Sequence, residues 1–121
     1  MHRDIKAANI LIRDNGMCQL ADFGSSKKII ENNQQAHTKS FCGTPYWMAP
    51  EVVKQSGHNR FADIWSLGCT VYEMIVREPP WIERKENSVF KVLNKISNAT
   101  KPPKYPAGIS PALKDFLDAC F

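Results

Sequence analysis

Apolar positions come in short, strand-like blocks at the start of the chain and in longer, helix-like blocks after it. Ile10-Leu11-Ile12 is a β-branched apolar run, Asp14-Asn15-Gly16 carries a tight-turn signal, and Cys18 to Ala21 returns as a second strand, which together predict a β-hairpin. Ser25 to Phe41 is polar and without periodicity and reads as a loop. Gly43 and Pro45 punctuate the next stretch, where Tyr46-Trp47-Met48 forms an apolar anchor. Glu51 to Gln55 predicts a short helix closed by Ser56-Gly57. Ala62 to Val76 is apolar on nearly every face, the pattern of a buried helix. Gly68 in its middle costs roughly 1 kcal/mol of helix propensity and predicts close packing there. Glu78-Pro79-Pro80-Trp81 stops that helix, since proline cannot continue it. A modest amphipathic helix enters at Lys85 to Asn87 and runs to about Ser97, and Ala99 to Gly108 is a Pro-rich loop. Ser110 then caps a last helix with Pro111 in its first turn. Its Leu113, Phe116, Leu117 and Cys120 fall on one stripe expected to face inward. The expected fold is mainly α with a small β-hairpin.

The hairpin gives the opening stretch, His2 to Gly24, its chemical interest. It sets the Asp4–Asn9 loop beside the loop that holds Asp22, so Asp4, Asn9 and Asp22 can converge. Two carboxylates and an amide oxygen are hard ligands suited to Mg²⁺. A carboxylate not fully used by metal can accept a proton from a hydroxyl. Lys6 adds positive charge where charge develops during phosphoryl transfer. Asp63, near the start of the apolar helix, is a charge that needs partners or a helix N-terminus.

His2-Arg3-Asp4-Ile5-Lys6-Ala7-Ala8-Asn9 followed by Asp22-Phe23-Gly24 resembles the catalytic and magnesium loops of eukaryotic protein kinases. Gly43-Thr44-Pro45-Tyr46-Trp47-Met48-Ala49-Pro50-Glu51 resembles the substrate-positioning loop of STE-type serine/threonine kinases. Ala21 to Lys28 and Ala62 to Val71 look most like the MAP kinase kinase kinase branch, with Ser25-Ser26 where that branch often has Ala-Ser. The resemblance implies a partial protein-kinase-like fold, the C-lobe from the catalytic loop to about helix H, with the N-lobe absent. It divides the partial kinase domain, residues 1–121, into catalytic and magnesium loops (1–24), an activation segment (25–51) and C-lobe helices (52–121).

The same resemblance implies ATP and Mg²⁺ as cofactors and assigns roles by position. Asp4 is the catalytic base, Asn9 and Asp22 hold the metal, and Lys6 steadies the γ-phosphate and favours the serine/threonine class. Arg3 receives a phosphorylated activation loop, with Thr38 and Ser40 as candidate phosphosites that could also pair with Lys27 or Lys28. Thr44 touches Asp4 and Lys6 and positions the substrate. Glu51 is a structural carboxylate whose expected arginine partner falls outside these 121 residues, and Asp63 holds the catalytic loop's backbone from below. The implied partners are a protein substrate, itself a downstream kinase, and an upstream activating kinase or the protein itself.

Composition narrows this picture. A chain of 121 residues makes one compact unit at most. The net charge of +4 is spread along the chain with no basic run longer than two residues, so no nucleic-acid footprint is expected. No apolar run approaches the roughly 18 residues that a membrane span needs. Cys18, Cys42, Cys69 and Cys120 are widely spaced without a paired motif and read as reduced, buried or semi-buried thiols of a cytoplasmic protein. His37 reads as solvated. Met1 fills the apolar place expected just ahead of the catalytic loop, which is compatible with an internal residue as well as with a true start.

The sequence holds no Gly-rich phosphate loop and no small-lobe lysine–glutamate pair. The expectation is therefore a parent protein that transfers phosphate to Ser or Thr, with these residues alone inactive and weakly folded. The alternatives are a non-catalytic docking module or a truncated gene product.

Overall fold

The computed structural model describes residues 1–28, 43–57, 59–82 and 88–121. Thr38, Ser40, His37 and Cys42 lie outside the described residues, as does the Lys85 to Asn87 helix entry.

The hairpin forms where the turn chemistry places it. Strands β1 (Ile10–Ile12) and β2 (Cys18–Leu20) pair antiparallel, with Ile10 opposite Leu20, Leu11 opposite Gln19 and Ile12 opposite Cys18. Gly16 takes φ +80° at the turn, and its N–H donates to the Arg13 carbonyl at 2.8 Å. That left-handed conformation is one glycine adopts without a Cβ penalty. Cys18 is exposed, not the buried thiol expected of it, because it stands on a strand with no described layer over it.

Four α-helices follow among the described residues: α1 (Pro50–Val53), α2 (Phe61–Val76), α3 (Val89–Ser97) and α4 (Pro111–Cys120). The 3-10 turn Pro45–Trp47 precedes α1. Met48, Ala49, Val52, Ala62, Trp65, Cys69, Val92 and Ile96 form one core, so the turn and α1 to α3 share an interior. Trp65 and Trp81 stack 6.2 Å apart, and Phe121 stands edge-on to Trp65 at 5.0 Å. Trp81 thus folds back on α2 from just beyond its end. Ser110 caps α4 by accepting from the Leu113 N–H at 3.2 Å.

Two helix faces differ from their pattern. α2 is buried at Ala62, Trp65, Ser66, Gly68, Cys69 and Thr70, but Ile64 and Met74 are exposed. On α4, Leu117 is fully buried, Leu113 and Cys120 are half-buried, and Phe116 is 41% exposed. Periodicity marks which side chains are apolar. It does not say whether another element lies against them, and at these positions no described residue closes the surface. No helix among the described residues is long and apolar enough to cross a membrane.

Candidate functional site

The opening loop is held from two directions. Beneath it, the Asp63 carboxylate accepts the His2 N–H at 2.7 Å on Oδ2 and the Arg3 N–H at 2.8 Å on Oδ1. Asp63 sits in the first turn of α2, where the helix dipole also favours an anion. Beside the loop, His2 Nε2 lies 3.0 Å from the Ala21 carbonyl, and its ring meets Phe23 edge-on at 4.9 Å. Arg3 takes the left-handed φ of 71°, and its Nε donates to the Ser25 carbonyl. Such a backbone angle on a residue with a long side chain persists only where its surroundings enforce it. Here Asp63 fixes the peptide on one side and Gly43 crowds it on the other. A Cβ on Gly43, at φ +114°, would stand 2.8 Å from the Arg3 carbonyl oxygen, so only glycine lets the two backbones approach.

That close approach brings Thr44 onto Asp4. Asp4 Oδ1 accepts both the Thr44 N–H at 3.0 Å and the Thr44 hydroxyl at 2.7 Å. Asp4 Oδ2 pairs with Lys6 Nζ at 2.9 Å and accepts from Asn9 Nδ2 at 3.1 Å. Lys6 Nζ also donates to the Thr44 hydroxyl oxygen at 2.7 Å. The pair is partly sheltered, with the Asp4 side chain 13% and the Lys6 side chain 24% exposed. Burial pushes the Asp4 carboxyl up, but the donors from Lys6, Thr44 and Asn9 outweigh it and hold the group below the usual carboxylate range.

Asn9 is buried at the end of the 3-10 turn Ala7–Asn9. Its Nδ2 donates to the Asp4 carbonyl at 2.8 Å as well as to the carboxylate. Both amide hydrogens are thereby directed to Asp4, and the side-chain oxygen is left for another partner. The Ala21 N–H donates to the Asn9 carbonyl at 2.9 Å, which sets Asp22 one residue from that ladder pair. Asp22 is exposed, left-handed at φ 57°, and caps the turn Phe23–Ser25 by accepting the Gly24 N–H at 3.3 Å. An amide oxygen and a carboxylate, one from each loop, fit Mg²⁺, which takes a few protein oxygens and fills its octahedron with water and phosphate. No cluster of three or more His, Cys, Asp or Glu suited to a metal occurs among the described residues.

Asp4, Lys6, Asn9 and Thr44 thus meet in one hydrogen-bonded group, with Arg3 and Asp63 bound to the same loop. Glu51 stands apart in the first turn of α1, half-buried and without an ion pair among the described residues. Sequence alone assigns no separate role to His2 or Ser66, and marks Gly43 only as punctuation of its stretch. Ser66 donates to the Trp47 carbonyl at 2.8 Å and so ties α2 to the turn that follows Thr44. The only local signal for Gly43 was its identity.

The sequence profile of the protein kinase domain matches residues 1–121. The chain belongs to the protein kinase family. It is 51% identical over 120 residues to mitogen-activated protein kinase kinase kinase 3 of Arabidopsis thaliana, covering 99% of this chain and 18% of that protein. It is 47% identical over its full length to mitogen-activated protein kinase kinase kinase A of Dictyostelium discoideum, covering 12% of that protein. It is 46% identical to the cytokinesis protein sepH of Aspergillus terreus, covering 8% of it. The chain therefore spans less than a fifth of the length of these relatives. Within the kinase family its close relationship is to the STE-type mitogen-activated protein kinase kinase kinases. The mainly helical fold with one small antiparallel hairpin is that of a partial kinase domain resembling the C-lobe.

Proposed function

We propose that a longer protein containing this chain is a Mg-ATP-dependent serine/threonine kinase that phosphorylates a downstream kinase of a mitogen-activated cascade and is itself switched on by an upstream kinase or by its own activity. The supporting observation is the Thr44 hydroxyl, which donates to Asp4 and accepts from Lys6. A Ser or Thr hydroxyl is thereby already seated between a carboxylate and an ammonium, the environment that an acceptor hydroxyl requires. Relatives named as mitogen-activated protein kinase kinase kinases support the cascade assignment.

When bound, Mg-ATP supplies the phosphoryl group and a cation that neutralises its charge. Asn9 and Asp22 would hold the metal. Asp4 would orient the substrate hydroxyl and take up its proton. A carboxylate with a lowered pKa is a weak base, and phosphoryl transfer asks more for positioning than for strong basicity. The lone-pair directions of Asp4 are already taken by Thr44, Lys6 and Asn9. An incoming hydroxyl would take the place of one of these bonds. Lys6 spends two N–H directions on Asp4 and Thr44, and its third would be directed to a phosphate oxygen of bound ATP. Residues 1–24 act as the catalytic and magnesium loops, 25–51 as the activation segment with Thr38 and Ser40 as its phosphosites and Arg3 as their receiver, and 52–121 as supporting helices. Glu51 and Asp63 act structurally.

The test is phosphotransfer by the full-length protein with Mg-ATP and a generic Ser/Thr substrate, against Asp4→Asn and Asp22→Asn. Activity in the parent that falls by orders of magnitude in both variants supports the assignment. A folded parent with a phosphorylated activation segment and no turnover overturns it and favours a docking role without catalysis.

A further inference from the structure

The tip of the hairpin carries a reactive pair that phosphoryl transfer does not use. Asn15 is followed by Gly16, and every residue from Arg13 to Met17 is exposed. The Asn15 side-chain oxygen accepts the Met17 N–H at 3.1 Å. That bond closes a ring to which the Asn15 side-chain carbon (Cγ) and the Gly16 nitrogen both belong, so the side chain is folded onto the peptide that follows it. Gly16 has no Cβ to keep the two atoms apart. The space beside it is open, with nothing but its chain neighbours within 4 Å of where a Cβ would stand. The other described asparagines each lack at least one of these features. Asn59 is exposed and makes the same kind of bond, to the Phe61 N–H at 2.9 Å, but the next residue is Arg60, whose side chain crowds the approach. Asn94 and Asn98 are exposed and followed by Lys95 and Ala99, with Asn94 inside α3, and Asn9 is buried.

We propose that Asn15 is a site of non-enzymatic hydrolysis, converted by water to aspartate and isoaspartate, and that the product loosens the hairpin. The Gly16 nitrogen gives its proton to hydroxide and bonds to the Asn15 side-chain carbon. The bond from that carbon to the side-chain nitrogen breaks, and the nitrogen leaves as ammonia with a proton from water. Water then opens the cyclic imide. Attack at the side-chain carbonyl leaves aspartate. Attack at the main-chain carbonyl leaves isoaspartate, whose main chain runs through the side-chain carbon and is longer by one atom. The Gly16 N–H donates to the Arg13 carbonyl at 2.8 Å, so the turn must open before the nitrogen reacts, and the folded protein reacts more slowly than the unfolded chain. A lengthened main chain cannot keep both that bond and the one from the Arg13 N–H to the Met17 carbonyl, at 3.0 Å, in the same register. The new carboxylate also stands next in the chain to Asp14.

The reaction needs no kinase activity, so its failure and that of the kinase reading are distinguishable. The full-length protein is incubated at neutral and at mildly alkaline pH, and peptide mapping by mass spectrometry reads replacement of amide by carboxylate at each asparagine. Isoaspartate is read by methyl transfer from labelled S-adenosylmethionine with a protein-isoaspartate methyltransferase. Conversion at Asn15 is expected to outrun that at Asn59, Asn94 and Asn98 by roughly tenfold or more, to quicken with rising pH and to bring isoaspartate with it. The incubated protein should melt below the fresh protein. Asn15→Ser keeps a turn-forming side chain but has no amide to lose, so its melting should not change on the same incubation. Conversion at Asn15 no faster than at Asn59 overturns the proposal, as does none in the folded protein while a peptide of residues 12–19 converts. So does converted protein that melts with the fresh, or a fall in melting that Asn15→Ser shows equally.

Discussion

The Thr44 hydroxyl is the atom on which the site's geometry turns, because it satisfies an anion and a cation at once. Thr44→Val keeps the shape and removes both bonds. A hydrogen bond to a charged group contributes about 1.5–3 kcal/mol, so phosphotransfer in the full-length protein is expected to fall roughly ten- to a hundredfold. Thr44→Ser should stay close to the parent. Equal loss in both variants would show that the hydroxyl is not what matters. Asp4 adds a pH signature. Its folded pKa lies below the ordinary value, so its interactions stabilise the fold fully above about pH 4 and lose that contribution as pH falls through the folded value. Comparing melting temperatures of the parent and Asp4→Asn, the gap should close on acidification. A gap that widens would contradict the ion-paired state of Asp4. Much of this was legible in the sequence. Asp4, Lys6 and Asn9 lie within one loop and are bonded together, whereas Asp22, expected to reach them through the hairpin, caps its own turn. The closeness of Gly43 to Arg3 was not legible, because it depends on a backbone angle reached 40 residues away in the chain.

Helices and strands were legible wherever their pattern was local. The Asn-Gly turn, the proline stop after α2 and the Ser110 cap each act within a few residues, and each element formed there. The packing of α2 against α4 was only half legible. Gly68 signalled close approach without naming its neighbour. The structure supplies it, since a Cβ at Gly68 would stand 2.6 Å from the Cys120 Cβ and 3.3 Å from Phe121. Two helices cannot both keep their place with that contact. Gly68→Ala gains roughly 1 kcal/mol of helix propensity but overpacks the crossing, which typically costs about 1–3 kcal/mol. The net expectation is a lower melting temperature, and Cys120→Gly in the same chain should recover part of it by removing the opposing Cβ. A single Gly68→Ala variant that melts higher than the parent would rule out the crossing as described. The neighbouring Cys69 thiol is raised by burial and then by Cys120, so it should resist alkylation in the folded protein and react only on unfolding.

At the scale of the molecule, the distribution of apolar surface is uneven, and that decides how the chain should behave by itself. The core of α1 to α3 is closed, with Cys69 and Ile96 fully buried, and Leu117 on α4 is fully buried as well. The hairpin that presents Asn9 and Asp22 is not closed. Leu11, Ile12, Met17, Leu20 and Phe23 are all exposed, Ile12 by 74%. Exposed apolar side chains in this number mark surface that another element or chain covers, or that associates. Sequence pattern gave these residues as strand formers and could not say which of them would lack a cover. The 121-residue chain by itself is therefore expected to bind a hydrophobic dye, to associate as its concentration rises, and to show no phosphotransfer. Leu11→Thr/Ile12→Thr should reduce dye binding and association while leaving the melting temperature nearly unchanged, because threonine is β-branched, as a strand favours, and keeps that shape at Ile12. Core positions behave in the opposite way, since replacing a buried leucine by alanine costs about 2–5 kcal/mol. Leu117→Ala should accordingly lower the melting temperature clearly. If the hairpin variant melts as low as Leu117→Ala, those strand residues belong to a closed interior and the hairpin is not the open face of the molecule.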